Sequence, residues 1–111
     1  MAYKMKNNLS GLDRIVAEES TPDTPIFLKK LEEGVVAEAN KDGSIYVDPD
    51  TPAKLVKTAI SHEKVHIDQM RRGDLDYDDK NVYWKGKLYK RSTMNEGAKS
   101  LPWEKEAYKK Q

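Results

Sequence analysis

The chain has 111 residues, two histidines and no cysteine; 37% of residues are hydrophobic, 35% are charged, and the formal net charge is +1. That length holds one domain with a modest core, and the absent cysteines exclude disulfides, thiolate metal sites and a cysteine nucleophile. The two signs of charge are mixed, so no basic stripe argues for nucleic acid, and no apolar run suits a membrane span. The first residues, Met-Ala-Tyr-Lys-Met-Lys, lack a signal-peptide core, so the plain expectation is cytoplasmic.

Residues 1–24 are polar and run into Ser20-Thr21-Pro22-Asp23-Thr24-Pro25. They read as a flexible N-terminal leader, with a short helix over 12–19 capped near Ser10 or Gly11. The domain proper is expected over 25–111. β-Prone runs at 26–31, 35–39 and 44–47, the last two separated by Asn40-Lys41-Asp42-Gly43, predict two or three antiparallel strands. Thr51 is placed to cap a helix with Pro52 in its first position, and Gly73 supplies the stop. Along that helix Leu55, Val56, Ala59, Ile60, Glu63, His66, Ile67 and Met70 form one apolar-centred stripe.

Residues 74–80 read as an acidic loop. Lys85-Gly86 between aromatic runs predicts a tight hairpin, and residues 91–99 read as a loop. A last helix is expected from Glu104 to about 110, with Pro102 in its opening turn. The fold class is therefore α+β: a short, mostly antiparallel sheet packed on a long helix and closed by a C-terminal helix.

The chemistry concentrates in His62-Glu63-Lys64-Val65-His66. On a helix, positions i and i+4 share a face, so both imidazoles can address one ion, with Glu63 beside it to take a proton from an activated water. Two histidines placed at random in 111 residues take this spacing about 2% of the time, and a glutamate follows the first in about 8% of those cases, roughly one accident in 700. The pattern points to a zinc hydrolase. A catalytic zinc uses three protein ligands and keeps an open position. With no third histidine and no cysteine, the remaining ligand is an aspartate or glutamate. Glu104, next to the aromatic anchor Trp103, is the best placed; Glu106 lies about 200° further round its helix, so one of the two coordinates and the other faces solvent.

This pattern resembles the gluzincin branch of zinc metallopeptidases in a minimal form. In that family the third ligand is a glutamate on a helix after the active-site helix, within Glu-x-x-x-Asp or Glu-x-x-Ala-Asp. Glu104-Lys105-Glu106-Ala107-Tyr108 matches the second version at Glu104 and Ala107 and departs from it at Tyr108. The family's aspartate commonly hydrogen-bonds a ligand histidine, a support that Tyr108 does not carry over. The metzincin pattern fails at Gln69 and Arg72, which stand where glycine and histidine are needed.

The resemblance implies a small zincin-like domain, bacterial or phage-encoded, that hydrolyses peptide bonds in a peptide or protein substrate. Zinc is held by His62, His66 and Glu104, Glu63 is the catalytic base, and one of Tyr77, Tyr83, Tyr89 or Tyr108 helps stabilise the oxyanion. An edge strand at 35–39 or 45–47 would hold an extended substrate. Two other readings stand beside this one. In the first, the chain is a zinc-stabilised binding or structural module, such as a phage particle component. In the second, it is a latent protease masked by its leader.

Overall fold

A computed structural model describes residues 11–111. Three α-helices, α1 (Gly11–Glu19), α2 (Ala53–Arg71) and α3 (Pro102–Lys110), combine with six short strands. The strands are β1 (Ile26–Leu28), β2 (Ala37–Ala39), β3 (Ile45–Val47), β4 (Leu75–Tyr77), β5 (Asn81–Trp84) and β6 (Lys87–Lys90). They form two three-stranded sheets, ordered β1-β3-β2 and β4-β5-β6, so the protein is a mixed α+β domain with a C-terminal helix.

In the first sheet the alternation of β3 decides which face is covered. Ile45 and Val47 are fully buried and Tyr46, between them, is not. The antiparallel β2–β3 pair is the hairpin expected around Asn40-Lys41-Asp42-Gly43: Asn40 N–H donates to Ser44 O, and Asp42 accepts from the Ser44 amide. Strand β1 departs from expectation. It runs parallel to β3, Ile26 opposite Ile45, and lies on the far side of β3 from β2.

The segment read as a polar leader has two parts. Residues 1–10 lie outside the described residues, and residues 11–24 are built into the domain. Helix α1 matches the short helix expected at 12–19, and it buries Leu12 and Val16 against the first sheet and α2. Glu19 pairs with Lys64 at 3.2 Å, and Arg71 hydrogen-bonds the Asp23 carbonyl, so the C-terminal half of this segment is tied to α2 at two points.

Helix α2 starts one residue later than expected. Pro52 occupies the cap position, and the Thr51 hydroxyl donates to Val36 O at 3.3 Å instead of capping the helix. The other end is as expected. Gly73 takes φ 85°, its N–H donates to Met70 O, and the Asp74 N–H donates to Gln69 O. That is a Schellman stop, for which only glycine has a strain-free backbone.

At 100° per residue, α2 presents two faces roughly 130° apart. Val56, Ile60 and Ile67 enter the first core, while His62, His66 and Gln69 turn toward α3. Leu55 shares the azimuth of His62 but lies two turns before it, beyond the reach of the nine-residue α3, and is 46% exposed.

The second sheet is a meander. Residues expected as an acidic loop contain β4, whose Leu75 is buried while Asp76 faces out. The Lys85-Gly86 turn joins β5 and β6 with φ 49° and 83°, the two positive values of a type I′ hairpin. Trp103, on α3, packs edge-on against Tyr89 at 5.1 Å and joins Leu75 and Val82 in a smaller aromatic core. No helix among the described residues is long and apolar enough to cross a membrane.

Candidate metal centre

Helix α2 carries His62 and His66 on one face, and α3 crosses that face with Glu104 aimed between them. His62 Nε2 stands 2.8 Å and His66 Nε2 3.2 Å from the same carboxylate oxygen, Glu104 Oε1. The three side chains are 12%, 10% and 11% exposed. Ligand atoms of all three lie within 4.8 Å of one another, a group able to hold a metal ion. Donors around a tetrahedral zinc stand roughly 3.3 Å apart, given ligand distances of about 2.0–2.2 Å. The two His–Glu separations fit a single ion after shifts of a few tenths of an ångström, while the two imidazoles, within 4.8 Å of one another, have further to close.

Electrostatics supports the convergence. Burial alone would raise the Glu104 carboxyl, but hydrogen bonds and charge from His62 and His66 outweigh it and hold the group at about 2. Burial also opposes charging the two imidazoles, yet Glu104 leads the interactions that raise both above their ordinary value. Without an ion, protons on the imidazoles play the part of the cation between these groups.

Glu63 sits on the seam between the two faces of α2. Enclosure drives its carboxyl up to about 7, with the Glu104 charge adding to the rise; His66, His62 and a hydrogen bond from the Ala39 N–H act against it. The Ala39 contact locates the strand edge. In the β2–β3 pair Asn40 N–H and Asp48 N–H close the ladder, so by alternation the backbone groups of Ala37 and Ala39 face outward. Strand β3 is central and has no free edge, which removes 45–47 from the two candidate substrate edges and leaves β2.

A cavity of about 320 Å³ opens beside Glu63 and His66, with Met70, Leu75, Val82 and Trp103 as its apolar lining. Of the four tyrosines considered for the oxyanion, Tyr77 lines this cavity. Tyr83 is held by Asp78 at 3.0 Å, and Tyr108 packs its ring on His62 at 4.5 Å. None of residues 11–24 lines the cavity.

Glu106 does not join the metal group, and it does not simply face solvent. It accepts from Arg72 at 2.6 Å, Gln69 at 2.7 Å and Lys110 at 3.0 Å. Arg72 also holds Asp68 and Asp74. Two residues that sequence reading passed over complete the site. Gln69 Oε1 lies 2.8 Å from His66 Nδ1, and Gln111 Oε1 lies 2.7 Å from His62 Nδ1. Carboxamide oxygens thus face the Nδ1 atoms of both imidazoles. The i+3 spacing of Gln69 from His66 was the one available signal.

No family model, no curated protein and no solved structure matches this chain in comparison.

Proposed function

We propose that this protein is a zinc-dependent metallopeptidase. The observation that carries the reading is the convergence of His62, His66 and Glu104 from two helices, with the enclosed carboxylate of Glu63 beside them. Two imidazoles and one carboxylate form a recurrent catalytic zinc set, and they leave one position open. When bound there, zinc supplies a Lewis acid for a peptide carbonyl and acidifies a water.

The chain's own groups supply the rest. Glu63 is placed to act as the general base, and with zinc bound it would accept a proton from the attacking water and return it to the departing amine. The outward backbone groups of β2 pair with an extended substrate, and the neighbouring cavity takes an apolar side chain from it.

A zinc-held binding or structural module is the competing reading, favoured by the way the ligand set joins α2 to α3. Glu63 separates the two, because a structural ion has no use for a base at that position. Glu63→Gln is expected to keep zinc bound and to lower cleavage of a fluorogenic peptide library by 10²–10⁴-fold, the range for a general base. Zinc retained with cleavage unchanged would contradict the enzyme reading.

A further inference from the structure

Gln69 is fully buried at the C-terminal end of the site face of α2, a costly place for a carboxamide unless every polar atom is matched. Its partners fix its orientation. Its Nε2 lies 3.0 Å from the Trp103 carbonyl and 2.7 Å from Glu106 Oε1, and both of these groups only accept hydrogen bonds. That end must be the NH₂, so the carbonyl oxygen is the atom 2.8 Å from His66 Nδ1. An amide oxygen cannot donate, hence Nδ1 of His66 carries a proton and donates it. Nε2, the nitrogen facing Glu104, is then the one left to bind a cation.

The same side chain reaches α3 at two points, Trp103 and Glu106, which flank the ligand Glu104 in sequence. Arg72 holds Glu106 from the end of α2. One carboxamide therefore sets the orientation of a ligand on α2 and the position of the helix that brings the third ligand. We propose that Gln69 is the positioning residue of the metal centre, presenting His66 Nε2 and docking the Glu104 helix through separate ends of its amide. This rests on the metal reading above and goes beyond it by assigning a role to a residue that touches neither ion nor substrate.

Two substitutions separate the two ends. Gln69→Met keeps the bulk and removes both functions. Gln69→Glu keeps an oxygen toward His66 in either charge state and weakens the link to the Trp103 carbonyl and Glu106. Zinc affinity is measured by chelator competition, and the His66 Nδ1–H resonance is followed by NMR in zinc-free protein. Gln69→Met is expected to weaken zinc binding 10–100-fold, as loss of a ligand's hydrogen-bond partner typically does, and to lose the slowly exchanging Nδ1–H signal. Gln69→Glu should retain that signal, lose less zinc affinity than Gln69→Met does, and melt at a lower temperature than the parent.

Wild-type zinc affinity with a protected Nδ1–H in Gln69→Met would overturn the proposal, as would loss of the signal in folded Gln69→Glu. If Gln69→Met does not fold, the Gln69→Glu arm decides alone. If the parent protein takes up no zinc, the metal reading fails, but the zinc-free NMR comparison still decides whether Gln69 holds the His66 proton.

Discussion

The two faces of α2 are built on opposite principles. On one, Val56, Ile60 and Ile67 meet Leu12, Val16, Ile26, Ile45 and Val47, eight buried aliphatic side chains from α1, α2 and two strands. On the other, His62, His66 and Gln69 meet Glu104 and Glu106 of α3, and the apolar support is limited to Leu75, Val82, Trp103 and their partly buried neighbours. The first face is held by non-directional burial, which tolerates small shifts. The second is held by hydrogen bonds and ion pairs between groups that are costly to bury unless paired. Stability thus resides on the side away from the chemistry, and α3 is a clasp whose position depends on polar contacts that an ion would complete.

If that division holds, damage to each face should register in a different measurement. The largest effect on folding is expected from Ile60→Ala, about 2–5 kcal/mol of stability by denaturant unfolding, with the zinc affinity of the folded protein unchanged. Glu104→Ala should do the reverse, lowering zinc affinity far more than Glu106→Ala does and leaving the aliphatic face intact. Equal losses of zinc affinity in Ile60→Ala and Glu104→Ala would dissolve the distinction.

A smaller effect should appear with pH. Arg72, then Gln69, holds the Glu106 carboxyl well below its ordinary 4.5, at about 2. A group with a lowered folded pKa stabilises the fold above its unfolded value and loses that contribution as pH falls through the folded one. In zinc-free protein Glu106→Ala should therefore cost about 1–2 kcal/mol at neutral pH, with the gap closing between pH 4.5 and about 2. A gap that stays constant across that range would remove Glu106 from the clasp.

What the sequence disclosed follows the same division. Helix α2, its glycine stop and the convergence of His62 and His66 are local matters of spacing, and they were legible. The lack of a further histidine or cysteine narrowed the third candidate only to an aspartate or glutamate, and Glu104 stood out by its place on a downstream helix beside Trp103. The parallel pairing of β1 with β3 was not legible, since a three-residue strand carries no mark of its partner's direction. Strand β4 was hidden because Asp74, Asp76, Asp78 and Asp79 mask the in–out alternation of Leu75, Asp76 and Tyr77. Gln69 was passed over, because its burial depends entirely on α3 arriving from more than thirty residues away.

The most direct test is X-ray absorption at the zinc edge on protein loaded with one equivalent of zinc, compared with Glu104→Ala. The account predicts two imidazole nitrogens and one carboxylate in the parent, at about 2.0–2.2 Å, and the carboxylate lost in the variant. A parent spectrum with no imidazole scattering, or one that Glu104→Ala leaves unchanged, would contradict it.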